Sequence, residues 1–331
     1  MMLCGFTHVA AANLGEDGIT VLRTLHRDAR RKRTVFIFDE ASMISMSLWG
    51  LIAQLKFTGN IVVVLGDFAK QFGPIGEDTI NDNDNDNDTL QFSNFMRDLV
   101  NNFIVKMSKY RRGDDYEHFK FTTSIYPDKL IQRNETCQNA LMAARIKYPT
   151  KGELCLGANL VITNRARIRI NKEVNDWLAP SNNVFVKASQ YANQRDANQP
   201  QDLKIWGGIV LMARVNGMLK IKQTNGSPVT LQNGRRYQVM AIAVTEDTEG
   251  TEFEMACVND KNEKVSETFM ISKQDLAKTM RLTHAFTYYS SQAPTIRGAL
   301  RLCDTDHRHF TLHHLIIGLG RAPPGDVVQV E

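Results

Sequence analysis

Asp39 and Glu40 stand side by side at the end of the apolar run Thr34-Val-Phe-Ile-Phe38, and Gly66-Asp67 closes a second such run, Asn60-Ile-Val-Val-Val-Leu65, with Gln71 shortly after it. A hydrophobic strand that ends in Asp-Glu can hold one carboxylate on Mg²⁺ and set its neighbour where it polarises an attacking water, the arrangement phosphoryl transfer uses. A glutamine beside the same sheet edge can contact a γ-phosphate or that water. The competing reading of the pair is an acidic strand end that is simply solvated.

Elements must exist to place these groups. Both apolar runs are short, continuous and β-branched without polar alternation, as in parallel strands covered on both faces. Between them, Ser47–Phe57 puts Leu48, Leu51, Ile52 and Leu55 at helical spacing. Strand, helix, strand is the unit of a doubly wound α/β sheet, which binds its ligands beyond the carboxyl ends of its strands. Asn159–Thr163 reads as another buried strand and Asn164–Leu178 as the helix that follows. From about Ile205 the texture turns β-rich, with Gly207-Gly-Ile-Val-Leu-Met212, Thr224–Pro228, Asn233-Gly234, Tyr237–Val244 and Asn259–Asn262. Asn-Gly turns between β-prone runs are hairpin signals, so a small barrel or meander is expected there. After Met280 the α/β texture returns, with His313–Leu319 expected as a last strand. Asn81–Asp88 alternates Asn and Asp with no apolar content, which predicts an exposed loop; a calcium loop would need a Gly and a closing Glu that it lacks.

The whole chain has 331 residues and 37.4 kDa, enough for about two domains. Its 43% hydrophobic and 23% charged residues exclude a disordered or fibrous protein. The apolar runs Ile61–Leu65 and Leu315–Leu319 are far short of the ~20 residues of a membrane span, and the first residues carry no basic stretch followed by an apolar one. With 40 basic against 36 acidic residues the net charge is +4, compatible with a polyanionic partner without requiring one. Five scattered cysteines argue against a disulfide framework or a zinc ribbon. A soluble intracellular protein with no membrane partner is the expectation.

Taken in order, the motifs resemble those of superfamily 1 helicases, specifically the RecD-like and PIF-type DNA helicases, including those of large DNA viruses. Asp39-Glu40-Ala-Ser-Met43 looks like their Walker B motif, and Gly66-Asp67 through Gln71 and Pro74-Ile75 resembles motif III, with Asp67 and Gln71 one residue further apart than is usual. Thr7-His8-Val-Ala-Ala-Ala-Asn13 with Thr24-Leu-His26 is similar to motif Ia and the element after it. Tyr110-Arg111-Arg112 resembles motif IV, with Arg111 favoured over Arg112. Asn159–Asn171 looks like the second domain's strand and helix, and the β-rich stretch is similar to the barrel inserted in that domain. Ala285–Thr295 resembles motif V, with Ala293-Pro294 where the family has Gly. Ile317-Gly-Leu-Gly-Arg321 resembles motif VI.

The resemblance implies an α/β fold of two RecA-like parallel-sheet domains with a small barrel inserted in the second. Domain 1 would span 1–105, domain 2 106–204 with 283–331, and the insertion 205–282. It implies an ATP-dependent DNA helicase, 5′ to 3′, working in replication, repair or recombination on single-stranded DNA or a fork, with RNA an alternative substrate. Asp39 would hold Mg²⁺, Glu40 act as base and Gln71 as sensor. Asp67 would join the nucleotide site, and Arg111 and Arg321 would reach the γ-phosphate of ATP. Thr7, His8, His26, Thr287, Ser291 and Gln292 would meet DNA or couple it to the nucleotide. No GxxxxGK[ST] run, whose amides and Lys cradle phosphates, occurs in the sequence. The expectation is therefore a first domain incomplete at its N-terminal edge, with the absent fragment supplied in trans as one partner and weak ATP hydrolysis without it. The alternative is an inactive, helicase-derived single-strand-binding protein or subunit.

Three further features have plain readings. Arg30–Arg33 is expected as a solvated turn rather than a phosphate contact. Cys303, His307, His309, His313 and His314 lead into motif VI rather than forming a zinc site. Trp49 is expected in the core, while Trp177 and Trp206 stay open to base stacking.

Overall fold

A computed structural model describes residues 1–15, 17–68, 71–73, 93–107, 113–191, 199–215, 217–222, 228–244, 250–292 and 294–331. The chain divides into two units, Met1–Arg112 with Gln292–Pro294, and Gly113–Ser291 with Thr295–Glu331.

In the first unit four short strands, β1 (Met2–Gly5), β2 (Gly18–Thr20), β3 (Val35–Asp39) and β4 (Ile61–Val64), form a parallel sheet in the order β2-β1-β3-β4. Helices α1 (His8–Asn13), α2 (Val21–Asp28), α3 (Met46–Phe57) and α4 (Asn94–Leu99) connect and cover it. Hydroxyls start three of them. Thr7 accepts from the Ala10 N–H, Thr20 from Arg23 and Ser93 from Met96, each satisfying an amide that the first turn leaves open. Phe36 and Phe38 on β3 and Trp49, Ile52 and Leu55 on α3 are fully buried in one cluster, so Trp49 is a core residue. The strand–helix–strand unit read from the sequence is present.

Two glycines let α1 lie against the sheet. A Cβ on Gly5 would stand 2.2 Å from the Ala11 nitrogen, and one on Gly18 would stand 1.7 Å from the Ala11 carbonyl oxygen. No side chain fits at either place, and both contacts are with backbone that cannot swing aside.

The second unit begins with helices α5 (Tyr116–Ser124), α6 (Pro127–Arg133) and α7 (Cys137–Lys147). Strand β5 (Ala158–Val161) and helix α8 (Asn164–Leu178) follow, the helix with the predicted bounds and Thr163 as its cap. The chain then leaves this layer. β6 (Val184–Val186) and β7 (Leu203–Ile205) pair antiparallel, as do β9 (Gly217–Lys222) and β10 (Pro228–Leu231). Strands β8 (Val210–Ala213), β11 (Arg236–Ala243), β12 (Glu252–Val258), β13 (Phe269–Ser272) and β14 (Met280–Leu282) make an antiparallel sheet in the order β13-β12-β11-β8-β14, with α9 (Lys273–Thr279) between the last two in sequence. Asn233-Gly234 turns between β10 and β11, which do not pair with each other; Asn225-Gly226 lies outside the described residues.

The chain returns as β15 (Ala285–Thr287), β16 (Leu300–Leu302), α10 (Leu312–Leu319) and β17 (Val328–Val330), giving a second parallel sheet in the order β15-β5-β16-β17. His313–Leu319, expected as a strand, is therefore helical. A short apolar run has no period that separates a buried strand from a buried helix. The deciding signal is local: the Thr311 N–H donates to His314 Nδ1 at 3.1 Å, closing the first turn, and Leu315, Ile316, Ile317 and Leu319 are buried around the helix. The final strand is β17.

Candidate active site

The acidic pair lies where β3 runs out. The Leu65 N–H donates to the Phe38 carbonyl at 2.8 Å and the Ala41 N–H to the Leu65 carbonyl at 3.0 Å, so the chain must turn sharply between them. Glu40 makes that turn with φ 55° and ψ 41°, the left-handed region, and a 3₁₀ turn over Ala41–Met43 follows. A non-glycine residue there costs about 1–2 kcal/mol, the kind of local strain that collects where a side chain must be aimed.

The strained residue is held from its side-chain end. Gln71 Nε2 donates to Glu40 Oε2, and Ser42 Oγ donates to Gln71 Oε1 at 2.7 Å. A carboxylate only accepts and the amide oxygen only accepts, so the Gln71 amide has a single orientation. The longer spacing between Asp67 and Gln71 does not prevent this, because the Gln71 N–H closes a turn onto the Asp67 carbonyl at 3.1 Å. Asp39 is half-buried, and burial pushes its carboxyl pKa up against the opposing pull of a backbone hydrogen bond. A carboxylate whose ionised form is disfavoured by desolvation gains most from a nearby cation. The donor set thus fits a divalent cation on Asp39 and an oriented water beside Glu40. Ser42 was not singled out in the sequence; the signal for it is its place on the turn directly after the acidic pair.

The other expected site residues are distributed as follows. Asp67 is half-buried after β4, Thr7 caps α1, His8 begins that helix, and His26 is exposed in the last turn of α2. Gln292 belongs with the first unit; it is 4% exposed and its Oε1 accepts from the Phe72 N–H at 3.0 Å. In the second unit Thr287 ends β15, where its hydroxyl accepts from the Ser290 N–H. Ser291 is buried at 1% exposure with its hydroxyl donated to the Tyr288 carbonyl, so it shapes the turn and presents no face to solvent. Arg321 follows α10, buried, with Nη1 at 3.4 Å from the Ser291 carbonyl. Within the first unit the structure brings together Asp39, Glu40 and Gln71, and within the second Ser291 and Arg321. Arg111, Arg112, Tyr110, Pro74-Ile75, Asn81–Asp88 and Ala293 lie outside the described residues.

Among the described residues no group of three or more His, Cys, Asp or Glu could hold a metal ion. His314 instead packs edge-on to Tyr288 and stacks on Phe310, and burial together with His313, His307 and His309 pushes its pKa down to about 4. Arg30–Arg33 is exposed, with Arg31 on Asp28. Trp177 is exposed on α8, and Trp206 packs partly on the antiparallel core. Among the described residues no helix is long and apolar enough to cross a membrane.

Solved structures with this architecture settle the fold. The chain superposes on the Pif1 helicase from Candida albicans with a TM-score of 0.61 and 15% identity, over 99% of this chain and 83% of that one. The fold is that of Pif1 helicases. A Pif1 from Bacteroides in complex with ADP-AlF3 and single-stranded DNA aligns with a TM-score of 0.57 and 16% identity, over 100% of this chain and 82% of that one. The Bacteroides Pif1 bound to single-stranded DNA gives 0.58 and 17%, over 99% and 82%. No family model and no curated protein matches the sequence.

Proposed function

We propose that this chain is an ATP-dependent DNA helicase that moves on single-stranded DNA with 5′ to 3′ polarity, acting in replication, repair or recombination. The observation that carries the reading is the chain of bonds Ser42–Gln71–Glu40, with Asp39 directly before Glu40 at the end of a parallel strand within a Pif1 fold. Mg²⁺·ATP, when bound, supplies the phosphoryl group and the Lewis acid. In this reading Asp39 holds the cation and Glu40 accepts a proton from water. Gln71, oriented by Ser42, reports the state of the γ-phosphate to the loop that carries Asp67. Arg111 and Arg321 neutralise the phosphate, and Thr7, His8, His26, Thr287, Ser291 and Gln292 form or support the DNA path. The domain plan is 1–105, 106–204 with 283–331, and a barrel over 205–282.

A second reading, an inactive helicase-derived binder of single strands, is favoured by one sequence fact: no GxxxxGK[ST] run occurs in the 331 residues. Polypeptide 1–331 is accordingly expected to hydrolyse ATP poorly, and DNA-stimulated hydrolysis abolished by Glu40→Gln would refute that. The affinity of the chain for a labelled oligo-dT, with and without Mg²⁺·ADP-aluminium fluoride, separates the two readings. The helicase reading requires an affinity that changes with nucleotide and stops changing in Asp39→Asn. Tight binding indifferent to nucleotide supports the inactive binder, and no binding to single strands removes both.

A further inference from the structure

We infer that Asp115, His118 and Tyr148 are positioning residues for Arg321, an inference that rests on the proposed assignment of Arg321 to the γ-phosphate. Arg321 sits in the strap between Leu319, the last residue of α10, and Gly325. Both ends of that strap are pinned to the first turn of α5. At one end His118, 3% exposed, has Nε2 at 2.9 Å from the Leu319 carbonyl. A carbonyl only accepts, so Nε2 carries a hydrogen, and with that single hydrogen on the ring Nδ1 is left as acceptor for the Tyr148 hydroxyl at 2.8 Å. The ring's tautomer and plane are set from both sides.

At the other end the Asp115 carboxylate divides its oxygens. Oδ1 accepts from the His118 N–H at 2.8 Å, capping α5, and Oδ2 accepts from the Gly325 N–H at 2.9 Å. Gly325 comes so close that a Cβ on it would stand 2.9 Å from His118 Nδ1. Between the pins, Pro323 and Pro324 fix φ, so a tether at Gly325 is felt at Arg321 instead of being lost in slack. The Arg321 backbone is held as well, its N–H on the Gly318 carbonyl at 3.1 Å and its carbonyl receiving the Ile296 N–H at 2.8 Å. A side chain that only filled space at position 118 would need neither donor nor acceptor, yet here both ring nitrogens are used.

The test uses the ¹⁵N-labelled chain 1–331 and three readouts: the His118 tautomer, amide exchange at Arg321 and Gly325, and the ratio of affinities for ATPγS and ADP. The wild type should show His118 protonated at Nε2; a hydrogen on Nδ1 in the neutral ring overturns the inference whatever the variants do. His118→Phe should speed exchange of both amides by about tenfold, the signature of a local opening, and move the affinity ratio toward that of Arg321→Ala. His118→Gln, which keeps an N–H for the Leu319 carbonyl, should restore both, and Tyr148→Phe should fall between. Wild-type exchange in a folded His118→Phe or in Tyr148→Phe overturns the positioning role. An affinity ratio that Arg321→Ala leaves unchanged, or no measurable nucleotide binding, overturns the assignment of Arg321 while the exchange data still decide the clamp.

Discussion

At the end of β3 the side chains of Glu40, Gln71 and Ser42 are bonded in a row, with Glu40 in a left-handed backbone and Asp39 beside it carrying a partly desolvated carboxyl. In the antiparallel sheet of the second unit the inward residues Leu211, Val239, Phe253, Met255, Ile271 and Leu282 are apolar and fully buried, and none of the site residues expected from sequence lies on its strands. The contrast separates two tasks. Apolar burial supplies the free energy that holds a domain, and a site spends a little of it to keep charged groups and strained backbone where solvent alone would not leave them.

If that division is right, the largest stability loss should come from the region with no chemistry. Phe253→Ala should cost about 3–5 kcal/mol in urea unfolding through lost burial and the cavity left behind; a cost near that of a surface change would break the contrast. At the site the order reverses. Glu40→Gly and Glu40→Ala both remove the carboxylate and its bond to Gln71, but only glycine relaxes the left-handed turn. The glycine variant should be the more stable by about 1–2 kcal/mol, and equal stabilities would mean that the turn holds no strain.

Two aspartates sharpen the comparison through pH. Burial raises the folded pKa of Asp39 above its unfolded value, so the stability associated with the neutral form is present at low pH and lost as pH rises through the folded pKa. Asp39→Asn should therefore match the wild type near pH 4 and become the more stable as pH rises toward 7, as followed by thermal melting. Asp115 has the opposite sign. The backbone N–H of His118 first, then that of Gly325, lowers its folded pKa. Its contribution is present above the unfolded value of about 4 and lost as pH falls through the folded pKa. Wild type and Asp115→Asn should converge in acid, and this is the smallest of the four effects because the group is partly open to solvent.

Strands β3 and β4 were legible because each is a continuous apolar run closed by an acidic residue, although only Phe36, Phe38 and Val62 on them are buried and Ile61 is exposed. Asn164–Leu178 was legible because its period is unbroken and Thr163 marks its start. His313–Leu319 was not, since its buried part, Leu315–Leu319, is a short apolar run whose period does not separate helix from strand; the clue was Thr311 three residues ahead of His314. At the site, Asp39, Glu40 and Gln71 were readable as a constellation, while Ser42 was not, because its role exists only after the 3₁₀ turn swings it toward Gln71. The antiparallel texture was visible in sequence, but its strand order was not, because Asn233-Gly234 has the composition of a hairpin turn and yet joins strands that belong to different sheets.

The crowding of Ala11 by Gly5 and Gly18 has a mechanical side. Gly5 pairs in register with Asp39, one strand spacing of about 4.8 Å away, and α1 rests directly on the Gly5 backbone with no side chain between to absorb displacement. Only bare main chain therefore lies between the helix that begins with His8 and the strand that ends in the carboxylate. With no methyl group at either glycine, helix and sheet touch through main chain alone, and even one added carbon at Gly5 or Gly18 would unseat the helix.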